Sequence, residues 1–106
     1  ENKKVMITGD ALEQTLSIVA SEFRESLKCD ILQMPHHFLC DTGYELFYAY
    51  VNAPTLLLPT CRAGFIAMTD PNSEYKDSVN FQVNNRVLKS ASKYYLAYDG
   101  TVEIEL

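Results

Sequence analysis

Three short β-favouring runs, at residues 5–8, 29–34 and 55–58, are separated by stretches whose apolar residues recur every three to four positions. This switching of period constrains the chain more than any other feature, because strand, helix, strand, helix, strand predicts neighbouring strands joined by right-handed crossovers. Val5-Met6-Ile7-Thr8 stops at Gly9-Asp10. Leu12, Leu16, Val19, Ala20 and Phe23 then share one stripe, with Glu13, Glu22 and Glu25 off it, and Asp10 stands where an N-cap would. The second strand ends at Pro35, which cannot donate to a sheet ladder. Tyr44, Phe47, Tyr48 and Val51 predict a second, shorter helix closed by Asn52-Ala53-Pro54. The third run, Thr55-Leu56-Leu57-Leu58, is apolar on both faces, as expected of a strand covered on each side.

Residues 61–79 have no clean period and contain Gly64 and two polar clusters, so a long loop with room for one helical turn is expected there, either functional or mobile. Phe81, Val83, Val87, Leu88 and Ala91 predict a third helix capped by Ser78 or Asn80. Asp99-Gly100 between β-rich residues 93–98 and 101–106 predicts a C-terminal β-hairpin.

A chain of 106 residues supports one domain, residues 1–106, or one piece of a larger one. With 47% hydrophobic and 22% charged residues it can bury a core. The net charge of -5 repels phosphate backbones and anionic lipid, which argues against nucleic-acid binding by charge. No apolar run approaches the ~20 residues of a membrane span. The opening Glu1-Asn2-Lys3-Lys4 offers neither an initiator Met nor a signal-peptide core, and reads as an internal start. Cys29, Cys40 and Cys61 are odd in number and lack a C-x-x-C spacing. Buried free thiols in a cytoplasmic rather than secreted protein are therefore expected, not a disulfide framework.

Chemistry-bearing side chains gather at two strand ends: Asp10 after the first, and His36 and His37 after the second. Ligands of open α/β sheets collect outside the carboxyl ends of strands, so an Asp and two His there could converge on a metal. The plainer readings are an N-cap for Asp10 and, for the His pair, a turn with one packed and one solvated ring.

Thr8-Gly9-Asp10, a helix, and then Cys29-Asp30-Ile31-Leu32-Gln33-Met34-Pro35-His36-His37 together resemble the second half of the metallo-β-lactamase fold, closest to the branch of the DNA-uptake protein ComEC. The resemblance extends in element order to the closing Tyr-Asp-Gly-Thr-Val segment, but rests on specific residues only between Val5 and His37. It implies half of an αββα sandwich: a mixed sheet with helices on one face, its other face covered by a missing N-terminal half. It further implies two divalent metals in the complete domain, zinc by default, with Asp10 bridging them and His36 on one. His37 would contact substrate or orient a ligand, and Thr60 and residues 61–79 would line the pocket mouth.

Three departures from the family pattern stand out. The H-x-H-x-D-H signature and a further histidine that hold most of the site are absent and would lie upstream of Glu1. The glycine and small residue expected after the histidine pair are replaced by Phe38-Leu39-Cys40, and no histidine other than His36 and His37 occurs. A zinc site needs three or four protein ligands and a dinuclear site more, so this segment alone is expected to bind metal weakly or not at all and to be inactive. The substrate, a small molecule or phosphodiester, is open, and an exposed sheet face would favour a homodimer.

A non-catalytic interaction module that keeps the shape without the metal site is the rival reading, and a free-standing flavodoxin-like domain a third. Ser78, Ser90 and Ser92 lack a nucleophile-elbow setting. Cys40 reads as a packed thiol, and the tyrosines, with Tyr44 and Tyr48 on one stripe, as structural.

Overall fold

The computed structural model describes residues 2–39 and 41–105. The elements follow as β1 (Val5–Met6), α1 (Glu13–Phe23), β2 (Ile31–Gln33), α2 (Glu45–Val51), β3 (Thr55–Leu58), α3 (Arg62–Thr69), α4 (Val79–Ser90) and β4 (Lys93–Leu96). Short 3-10 turns cover Arg24–Leu27, Pro35–Phe38 and Ala97–Asp99. The strands form one sheet in the order β1-β2-β3-β4, every pair parallel. Met6, Leu32, Leu56 and Tyr94 align across it as one row, and Val5, Ile31, Thr55 and Lys93 as the row before.

A strand order that runs one way, with crossovers of one hand, carries every helix to the same side of the sheet. The core agrees. Leu32 of β2, Met34 just after it, and Leu56 and Leu58 of β3 form one cluster with Leu16 and Ala20 of α1, Phe47, Tyr48 and Val51 of α2, Met68 of α3, and Phe81 and Val83 of α4. Ile31 is buried but lies outside that cluster, on the opposite face. There Val5 is 42% and Ile7 67% exposed, and the segment after β4 leaves a cavity lined by Leu57, Tyr95 and Val102. A doubly wound, flavodoxin-like arrangement would need the strand order to reverse, which it does not.

The α/β rhythm and the central strands stand as the hydrophobic periods predict, while several local expectations are corrected. The first helix begins at Glu13 with Leu12 at the N-cap position, so Asp10 does not cap it. Residues 61–79 contain α3, eight residues long. Its periodicity is hidden because Phe65, Ile66, Ala67 and Met68 are consecutive apolar residues of which only Met68 is buried. Cys61 is exposed and caps α3, its Sγ accepting from Gly64 N at 3.4 Å, whereas Cys29 is a buried free thiol as expected. The expectation for Cys40 lies outside the described residues. Thr60, expected at a pocket mouth, is buried in this chain.

α4 is capped by Ser78, whose Oγ accepts from Phe81 N at 3.1 Å, leaving Asn80 for another task. The C-terminal hairpin does not form among the described residues, and the sheet is parallel rather than mixed. A two-residue Asp-Gly hairpin turn of the favoured kind needs positive φ at both positions, and only Gly100, at 112°, adopts it.

Candidate functional site

The carboxyl ends of β1, β2 and β3 are tied to one another directly. Thr8 Oγ1 donates to Gln33 O at 2.5 Å, and Gly9 N donates to Gln33 Oε1 at 3.1 Å. His36 N donates to Gly9 O at 2.8 Å, and Met34 N to Leu57 O at 2.8 Å. Gly9 turns the chain at φ 57°, a conformation glycine adopts without the steric cost of a Cβ. These bonds bring Asp10, His36 and His37 to one edge of the sheet, as the strand order requires.

At that edge His37 Nε2 lies 3.2 Å from Asp10 Oδ1, and His37 Nδ1 lies 2.8 Å from Pro59 O. A carbonyl only accepts, so Nδ1 carries a proton. Nε2 then has two ways to face a carboxylate favourably. It carries a second proton and donates it, or it offers its lone pair to a cation that Asp10 shares. Zinc holds nitrogen and oxygen ligands at about 2.0–2.2 Å, so two ligands of one ion at the tetrahedral angle stand about 3.3–3.6 Å apart, and the 3.2 Å seen here would need only a slight opening of the pair to admit an ion. An imidazole whose other nitrogen donates to a backbone carbonyl is also the usual state of a metal-binding histidine, because that bond fixes tautomer and orientation.

With the side chains 54% and 73% exposed, the pair as a plain ion pair adds little to stability. The His36 and His37 ring centroids are 6.1 Å apart. Among the described residues, no group of three or more His, Cys, Asp or Glu side chains is placed to hold a metal ion. The two donors seen together are thus Asp10 and His37, the histidine whose role the sequence leaves open.

The turn that presents them is conformationally costly. His36, His37 and Phe38 have φ of 47°, 57° and 64°, three successive non-glycine residues in the left-handed region. Each departs from the right-handed preference by about 1–2 kcal/mol. Phe38 stands where the resembled pattern has glycine, and it keeps a glycine-like backbone. Its fully buried ring stacks on Phe65 with centroids 6.1 Å apart, so packing holds the turn that glycine would adopt freely.

The chain beyond the turn is pinned from several sides. Tyr48 Oη donates to Thr42 O at 2.7 Å, and burial pushes the phenol well above its ordinary pKa. Glu13 N, in the first turn of α1, donates to Asp41 O at 2.5 Å. Gly43 is required by close approach, since a Cβ there would lie 2.9 Å from Asn80 Cα.

Beside Pro59, a cavity of about 250 Å³ opens between Gln33, Leu57, Tyr95 and Val102. A second, of about 260 Å³, lies between α2 and α4 on the helix side and includes none of Asp10, His36 and His37. Pro59, whose carbonyl meets His37, carries no motif in the sequence beyond closing β3 as Pro35 closes β2. Comparison with family models, with curated proteins and with solved structures found no match to this chain.

Proposed function

We propose that the chain is the C-terminal half of a metal-dependent hydrolase domain of the metallo-β-lactamase superfamily, contributing part of a dinuclear zinc site that upstream residues complete. The observation that carries this reading is the Asp10–His37 contact, two donors 3.2 Å apart at the carboxyl edge of a parallel sheet, with His37 Nδ1 already committed to Pro59 O. Asp10 would be a carboxylate ligand of the metal site, and His37 would join His36 as an imidazole donor. A bound divalent metal would supply an acidified water and a Lewis acid for the substrate's oxygen.

This chain's own residues hold and orient. The Gly9 turn aims Asp10, Pro59 fixes the His37 tautomer, and Phe38 holds the histidine turn. The open face of the sheet, with Val5 and Ile7 exposed, takes the missing N-terminal half and in its absence favours a homodimer. The segment alone is inactive, having too few ligands. Its substrate is a small molecule or a phosphodiester.

The same contact supports one other reading. A doubly protonated His37 would satisfy both Asp10 and Pro59 without a metal, as in a non-catalytic interaction module that keeps the fold. Metal content and turnover of Asp10→Ala, His36→Ala and His37→Ala separate the two, measured in the protein that carries the upstream half with a generic phosphodiester and a generic lactam or ester. The hydrolase reading predicts loss of turnover and of metal in Asp10→Ala, and a loss in His37→Ala at least as large as in His36→Ala. Full turnover with metals retained in Asp10→Ala would leave the interaction module.

A further inference from the structure

We infer that Asn80 and Asn84 on α4 are positioning residues for the His36-His37 turn: their carboxamides hold the carbonyls that follow the histidines and thereby fix the direction in which the His37 ring is presented. Their part in hydrolysis rests on the proposed metal site; their control of ring orientation does not.

A left-handed run of three non-glycine residues persists only where its surroundings over-determine it. Leu39 N donates to His36 O at 3.0 Å, which closes the turn and directs the Phe38 and Leu39 carbonyls toward α4. Asn84 Nδ2 donates to Phe38 O at 3.3 Å, and Asn80 Nδ2 to Leu39 O at 2.5 Å. Asn80 Oδ1 accepts from Thr42 N at 2.9 Å, so one side chain grips both ends of residues 39–42. The Thr42 hydroxyl, with its single proton, lies within reach of both Leu39 O at 3.0 Å and Asn80 Oδ1 at 3.1 Å. A spacing of four residues puts both carboxamides on one face of α4, where they interrupt the apolar stripe begun by Phe81 and continued by Val87 and Leu88.

Asn84 is the more telling of the two. It is fully buried, and among the described residues its Oδ1 has no hydrogen-bond partner. A buried carboxamide left half satisfied is costly, and an apolar side chain of similar size would fill the same space without that cost. What the apolar residue could not do is hold the Phe38 carbonyl. The polar group is therefore explained by the turn it restrains rather than by packing. Phe38 is anchored twice, its ring by Phe65 and its carbonyl by Asn84, and His37 is the residue immediately before it.

Two variants test this in the 106-residue chain. Asn84→Leu removes one orphaned oxygen and orphans the Phe38 carbonyl, so its net effect on stability is a difference of two similar costs. Asn80→Ala releases Leu39 O and Thr42 N, both in part-buried bonds, and leaves the Phe38 carbonyl held by Asn84, which keeps the test open if Asn84→Leu does not fold. The control is Leu27→Ala, a core truncation in the 3-10 turn after α1. The readout is the order of the His37 ring by NMR: its side-chain couplings and its ring NOEs to Pro59 and Asp10. Loss of those NOEs and averaging of the couplings in both Asn variants, with both retained in Leu27→Ala at an equal or larger drop in melting temperature, is the expected result. His37 unchanged in the Asn variants would overturn the inference, as would equal loss of order in the control. The hydrolase reading is tested separately by Asp10→Ala turnover, and its failure would leave the ring-order result unaffected.

Discussion

The left-handed backbone at Phe38 can be tested through the sign of a difference between two substitutions. Phe38→Ala removes a fully buried ring stacked on Phe65, and truncations of this kind cost about 3–5 kcal/mol from lost transfer energy and residual cavity. Phe38→Gly removes one carbon more and adds a residue whose unfolded state is more flexible. At an ordinary helical or strand position Gly would therefore be worse than Ala by about 0.5–1 kcal/mol. At φ 64°, however, alanine retains the left-handed penalty of about 1–2 kcal/mol that glycine escapes. The two terms leave Phe38→Gly the more stable variant by up to about 1.5 kcal/mol, the inverse of the usual order. Urea denaturation followed by circular dichroism reads the difference directly, with both variants in the same stabilising osmolyte if the native baseline is short. Phe38→Gly less stable than Phe38→Ala by the ordinary margin, with equal m-values, would refute a left-handed Phe38 and with it the account of the histidine turn.

Three further outcomes follow from named contacts. Tyr48→Phe should cost about 1–3 kcal/mol by urea denaturation, because it leaves the buried Thr42 carbonyl without its donor. The wild-type phenol is raised by burial, so its stabilising effect should be fully present below the free-phenol value of about 10 and fall away as pH climbs through the folded value. Tyr48→Phe should lack that alkaline decline. A thiol reagent should label Cys61 well before Cys29, because Cys61 is exposed and Cys29 is buried with its pKa raised chiefly by burial; mass spectrometry of labelled peptides gives the order. Sedimentation should show self-association that weakens in Ile7→Lys, since Ile7 is 67% exposed on the sparsely covered side of the sheet.

The parts of the fold that could be read in the sequence are those where burial imposes a period. Leu16, Val19 and Ala20, buried or half-buried, announced α1, although Leu12 and Phe23 of the same stripe are exposed, and the continuous Leu56-Leu57-Leu58 run announced a central strand, now flanked by β2 and β4. Where burial imposes no period, the reading failed. α3 buries only Met68 and shows no stripe, and Asp99-Gly100 carries the letters of a hairpin turn without its backbone conformation.

The candidate site divides along the same line. That Asp10, His36 and His37 share an edge follows from parallel strands alone. That Asp10 meets His37 depends on the left-handed turn, and nothing in Pro35-His36-His37-Phe38 signals three successive positive φ values, since the forces that hold them come from Phe65, Asn80 and Asn84 far along the chain.

The proposal that Asp10 and His37 would share a cation at the edge of the sheet is tested by a zinc titration of the chain followed by NMR at the Asp10, His36 and His37 side chains, with Asp10→Ala in parallel. With two or three donors, binding should be weak and in fast exchange, the shifts centred on Asp10 and His37 and lost in Asp10→Ala. Shifts at His37 that survive Asp10→Ala, or an Asp10–His37 pair that zinc leaves untouched at millimolar concentration, would contradict it.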